Sequence, residues 1–114
     1  MARTAKRLAG PALVATGPAT IYTVPALTKT VIRYIHVSNP SASPVTLTLS
    51  VGADAAGTRI YGAYSIPAAA AGVSDSVRQI WLYLVMDAAE ILQAAAGTNN
   101  ILTITVNGDE NTLG

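Results

Sequence analysis

Cysteine is absent from the 114 residues, which excludes disulfides, thiol catalysis and thiolate metal sites. Phenylalanine is absent as well, so five tyrosines and one tryptophan are the whole aromatic supply. Charge is scarce: 11% of the residues are charged and 51% are hydrophobic, about half the usual share of charge for a soluble chain. That balance argues against disorder, which needs the reverse. A net charge of +1 argues against an electrostatic nucleic-acid binder, which needs a clustered basic face. One histidine and six carboxylates spread along the chain supply no ordinary metal or acid–base site, and no cofactor is expected. No apolar run approaches the roughly 18 to 20 residues of a membrane helix, so no membrane partner is expected. Arg3, Lys6 and Arg7 resemble the charged start of a signal peptide, but Gly10, Pro11, Gly17 and Pro18 break the segment that follows. Without a continuous apolar stretch, the chain reads as soluble and made in the cytoplasm.

What is present is alternation with period two. In Val45-Thr-Leu47-Thr-Leu49-Ser-Val51 each odd residue is apolar and each even one carries a small hydroxyl, the signature of a half-buried strand. Ile101–Asn107 repeats it, with Ile104 and Val106 on one face. Thr30–Ser38 and Val77–Met86 are rich in β-branched and aromatic residues on both faces, as central strands are, and Ala19–Val24 is shorter. Asn39–Pro44, Gly52–Gly57, Pro67–Gly72, Gly97–Asn100 and the dipeptide Asn107-Gly108 supply turns. Asp87–Ala96 is helix-forming by propensity, yet a turn followed by a strand over Glu90–Ala95 suits its place between two strands better.

The pattern predicts an all-β fold: one antiparallel β-sandwich or jelly-roll-like domain over residues 19–114, with residues 1–18 an extended N-terminal arm. Scarce charge on so apolar a chain suggests surface covered by another chain. An arm lying on a neighbouring subunit, with Arg3, Lys6, Arg7 and Leu8 as contacts and Asp109 and Glu110 as acidic counterparts, is one reading of the two ends. A frayed, solvated terminus is the other.

Candidate chemistry is thin. His36 lies in a strand with Arg33 and Tyr34 nearby, and alternation places 34 and 36 on one face and 33 and 35 on the other. A lone strand histidine reads as structural, since no G-x-S-x-G sequence or other catalytic constellation is present; no enzymatic activity is expected. Asp54 and Asp75 stand in loops, and Asp87 and Glu90 are three apart, too few oxygens for calcium. GADAAG at 52–57 lacks the Gly-Lys-Ser/Thr ending of a phosphate loop. Tyr61, Tyr64, Trp81 and Tyr83 read first as core and intersubunit packing and second as a platform that stacks sugars.

Lys6–Pro11, Ala19–Pro25, Ile35–Asn39, Leu49–Arg59 and the closing Val106–Gly114 resemble small structural proteins of tailed bacteriophages, the last segment those of phages that infect actinobacteria. The resemblance spans nearly the whole chain and carries no active site with it. It implies a virion protein of minor tail type, assembled in the host cytoplasm. A capsid decoration (cement) protein is the close alternative, and a carbohydrate-binding module for attachment to host surface glycans a further one. The expected partners are other copies, in a homo-oligomeric trimer or ring, and other virion proteins.

Overall fold

The computed structural model describes residues 2–69 and 76–112. Eight strands run through them: β1 (Ala2–Leu13), β2 (Ala19–Thr23), β3 (Thr28–Asn39), β4 (Val45–Val51), β5 (Arg59–Ile66), β6 (Ser76–Met86), β7 (Ile91–Ala96) and β8 (Thr103–Thr112). They form two four-stranded sheets, in the orders β1-β8-β3-β6 and β2-β7-β4-β5, and every pairing is antiparallel. The pairs nest, β4 with β5, β3 with β6, β2 with β7 and β1 with β8. The chain is therefore a long ribbon doubled back at the β4–β5 loop, and winding that ribbon sends alternate pairs to opposite sheets. The result is the expected antiparallel β-sandwich, with its strands in jelly-roll order.

The two sheets meet through one face each. Val45, Leu47 and Leu49 of β4, Leu92, Ala94 and Ala96 of β7, Ile35 and Val37 of β3, and Ile104 and Val106 of β8 are all buried between them. Thr46, Thr48, Thr103 and Thr105, which alternate with them, are only half-buried. Each fully buried Leu, Ile or Val contributes roughly 1.5–3 kcal/mol, so this aliphatic layer holds the fold without any phenylalanine. Asn39 closes one end of it. Its Nδ2 donates toward the carbonyls of Ser43, Ile66 and Pro67, and its Oδ1 accepts from the backbone N–H and hydroxyl of Ser41. One buried amide thus satisfies the backbone of two loops.

Several expectations are corrected. Residues 2–13 are not an arm outside the domain but strand β1, paired with β8 from Ala2↔Thr112 to Leu13↔Thr103. Weak alternation hid this strand because its register shifts twice, between Arg7 and Ala9 and between Ala9 and Ala12. Asn107-Gly108 is not a turn; it lies inside β8, which continues to Thr112. The segment 87–96 is, as expected, a turn followed by a strand, β7, with Leu92, Ala94 and Ala96 facing the core. Arg33 does not point away from Tyr34: β3 changes register between Ile32 and Tyr34 against both neighbours, and this irregularity puts Arg33 and Tyr34 on the same outer face.

Gly108 makes that irregularity possible. A Cβ at this position would lie 2.1 Å from the Val31 carbonyl oxygen and 3.1 Å from the Ile32 Cα, both backbone atoms that cannot swing aside. Gly108→Ala is expected to destabilise the fold by about 3 kcal/mol or more, at or beyond the upper end of over-packing costs. Gly57→Ala, where a Cβ meets nothing within 4 Å, is the control and should shift stability by no more than about 0.5 kcal/mol. Urea unfolding midpoints of the two variants check both values.

Candidate functional site

The outer face of the β1-β8-β3-β6 sheet carries the densest set of functional side chains. Unbroken alternation along β6 sends Val77, Gln79, Trp81, Tyr83 and Val85 outward, while Ile80 and Met86 are buried on the opposite side. Trp81 is 72% exposed and Tyr83 69%, which is unusual for the two largest apolar side chains on one strand. Neither ring is loose. Trp81 stacks on Tyr34, its register partner in β3, with ring centroids 4.3 Å apart and planes at 25°. Tyr34 in turn meets His36 edge-on at 6.2 Å. The Arg33 guanidinium lies 5.4 Å from the centre of the Tyr83 ring, a cation–π contact that the β3 irregularity creates.

The same guanidinium is anchored from beneath. Arg33 Nε and Arg3 Nη2 both donate to Oδ2 of Asp109, whose side chain is 5% exposed. Asp109 therefore ties β1, β8 and β3 together under the rings. The Arg33 and Arg3 hydrogen bonds hold its carboxyl below the usual carboxylate range, against the opposing effect of its lost hydration. Its neighbour Glu110 faces the other way, into the space between the sheets. Its Oε1 accepts from Lys6 Nζ at 3.1 Å and its Oε2 from the Tyr22 hydroxyl. Thr30 Oγ1 completes the chain by donating to the Tyr22 oxygen at 2.7 Å. The Tyr22 hydrogen bond lowers the Glu110 carboxyl. Burial, and then the hydrogen bond to Glu110, push the Tyr22 phenol up to about 12.

The basic start and the acidic end thus meet as the sequence suggests, but inside one chain: Arg3 with Asp109 and Lys6 with Glu110. Arg7 is exposed on β1 and Leu8 is half-buried against the core. The four middle aromatics separate into two pairs. Tyr61 and Tyr64 of β5 lie 5.2 Å apart, partly buried against the core, and Arg78 of β6 covers Tyr64 at 5.8 Å; they close the seam between the sheets. Only Trp81 and Tyr83 face outward, joined by Tyr34 and Arg33, which alternation alone did not bring to them. Asp54 is held by Arg59, through Nε at 2.8 Å and Nη2 at 3.1 Å, and by Ser50, so the 52–57 loop is an ion-paired turn. Lys29 pairs with Asp87 at 2.8 Å. Among the described residues no three His, Asp or Glu side chains converge on a common point, and no pocket opens. The arrangement offers a flat, ring-bearing surface to bind against. Comparisons of the chain with protein-family models, curated proteins and solved structures find no match.

The Tyr22–Glu110 pair makes stability depend on pH at both extremes. A phenol raised above its ordinary 10.0 contributes stability that is complete below pH 10 and is lost as pH rises through about 12. Asp109 and Glu110, lowered from 3.8 and 4.5, contribute stability that is present above those values and is lost as pH falls through the lower folded ones. In urea unfolding across pH, Tyr22→Phe should flatten the alkaline limb and Glu110→Gln the acid limb. An alkaline limb unchanged in Tyr22→Phe would contradict the assignment.

Proposed function

We propose that the protein is a structural subunit of a tailed-bacteriophage virion, built into the tail or its tip, and that it acts by assembly with other copies and other virion proteins. The observation that carries this reading is the exposed run of Trp81, Tyr83 and Val85 on one face of the sandwich, with Val77 beyond Gln79. Isolated soluble domains rarely present a contiguous apolar patch of this kind, and a partner that covers it accounts for it. The scarcity of charge along the whole chain supports the same conclusion. So does the resemblance of Lys6–Pro11, Ala19–Pro25, Ile35–Asn39, Leu49–Arg59 and Val106–Gly114 to small phage structural proteins. Jelly rolls recur in viral capsid and lectin domains, a fold-level analogy that is compatible with the reading but does not carry it.

In this proposal the domain contributes shape and surface. Asp109 and Glu110 hold the two ends of the chain down, which leaves the outer face of β3 and β6 as the surface that meets a neighbour. The outer face also favours a second reading, a module that binds host-surface glycans. Trp81 keeps one indole face open while Tyr34 supports the other, as sugar-stacking platforms require.

Gold-labelled antibody on intact particles, viewed by electron microscopy, is expected to decorate the tail or its end. Label spread over the head would make the protein a capsid decoration subunit instead, and unlabelled particles would overturn the virion assignment. The glycan reading predicts that host cell-wall sugars quench Trp81 fluorescence, and unchanged emission with every sugar would remove it.

A further inference from the structure

The four sheet edges are not equally protected. The β1 edge carries Arg3, Lys6, Arg7 and Pro11 and two register shifts. The β2 edge is five residues long, with a register shift and Pro25 beyond it. The β5 edge has two register shifts and a left-handed residue, Ala63 at φ 50°. Charges, proline, bulges and shortness are the devices that keep sheet edges from pairing with other chains. Edge strand β6 has less of this protection for its length: one register shift against β3, where Leu82 and Tyr83 stand opposite Arg33, and one charge. It runs eleven residues, Ser76–Met86, without glycine, proline or a break in alternation, and Arg78 is its only charge. Among the described residues its outer edge is unpaired.

The rings on this strand face the same way as the open edge. Tyr34 and Trp81 are register partners on adjacent strands, and strands lie about 4.8 Å apart. A stack at 4.3 Å between such partners runs along the strand-to-strand direction, so the second face of Trp81 looks past the edge of the sheet. Tyr83 is covered from the β3 side by Arg33, and its second face looks the same way. Both rings stand at the open edge with one face supported and one free.

From this geometry we propose that two copies of the chain pair through β6, antiparallel about a two-fold axis at Leu82, joining the two β1-β8-β3-β6 sheets into one eight-stranded sheet. Directly opposed residues in an antiparallel pair share a face, and only registers that keep outward residues opposite outward residues satisfy this. With Leu82 opposite the second copy's Leu82, Trp81 meets the second copy's Tyr83 and Gln79 meets the second copy's Val85. The stacked row then runs Tyr34, Trp81, the second copy's Tyr83 and the second copy's Arg33, and it occurs twice by symmetry. Each free ring face is filled by a ring whose own far side a cation or a tyrosine already supports. Charge permits the pairing. The two Arg78 side chains stand eight residues apart along the paired strands, about 27 Å at 3.4 Å per residue and beyond the roughly 8 Å screening length in physiological salt. The pairing is closed, because the remaining edges of the joined sheet are the two protected β1 strands.

The proposal deepens the assembly reading and rests on it for its place in a particle, but its test uses purified protein. Sedimentation equilibrium should give a dimer. Trp81→Ala and Tyr83→Ala, which alter exposed side chains, should shift it to monomer by at least a tenfold loss of association while the circular dichroism spectrum is retained. The chain has no cysteine of its own, so Gln79→Cys and Val85→Cys report the register. Co-refolded and oxidised, the two variants should cross-link to each other, and neither should cross-link alone. A monomeric wild-type chain, association that survives both ring substitutions, or cross-links in either variant alone would overturn the pairing. A monomer whose Trp81 emission is quenched by sugars would assign the face to glycan instead. Gold on particles with a monomeric chain removes the pairing and leaves the virion reading intact; a dimer with no gold does the reverse.

Discussion

A two-sheet sandwich can bury only one face of each sheet, and this constraint organises the rest of the molecule. The buried faces are filled mainly by Ile, Leu, Val and Ala, with Met86 and Tyr22 among them and half-buried rings such as Tyr61 and Tyr64 closing the seam. The one tryptophan stands outside that layer at 72% exposure. Its bulk therefore acts on the outer face. Tyr34 stacks on Trp81 and Arg33 lies over Tyr83 there, which restricts the conformational freedom of both rings.

The central strand β8 serves both faces at once. Ile104 and Val106 pack into the core, Gly108 gives room to the β3 backbone, Asp109 anchors Arg33 and Arg3 on the outside, and Glu110 reaches Tyr22 and Lys6 on the inside. The irregularity at Arg33 exists because Gly108 lets Val31 and Ile32 approach. The cation under Tyr83 exists because of that irregularity. Substituting one hydrogen by a methyl in β8 therefore reaches the surface rings two strands away, through contacts that each involve named atoms.

The strands whose alternation is clean were legible as sequence. Val45–Val51 matches β4, and Val77–Met86 and Thr30–Ser38 match β6 and β3 to within two residues. The period-two signal is strong wherever one face is core. What was not legible has a physical origin in each case. β1 was hidden because its two register shifts break the period and because an edge strand with charged, exposed residues looks like a solvated terminus. Asn107-Gly108 carries turn chemistry that tertiary packing overrides, since Gly108 is selected by the close approach of β3 rather than by a turn. The pairing of Trp81 with Tyr34 needs the β3–β6 register, and the turn of Arg33 onto Tyr83 needs a bulge, neither of which a single strand's pattern contains. Asn39 read as one more loop residue, although its amide binds two loops, because hydrogen bonds to Ser43, Ile66 and Pro67 depend on a loop that is distant in sequence.

The unequal treatment of the sheet edges bears on how the chain is meant to be used. An edge protected by Lys6, Arg7 and Pro11 costs stability, since charged and irregular strands pair less well than smooth ones. Such a cost makes sense where an open strand would be harmful, and β1, β2 and β5 each carry it in a different form. A chain with six charged acids and seven bases in all has few charges to place, and three of its bases lie on β1 while β6 has one. Had avoidance of association been the general requirement, the long β6 edge with its exposed rings would be the first place to need a charge. Its length and unbroken alternation, together with the support given to each ring from one side only, favour a surface shaped for contact over one left bare by accident.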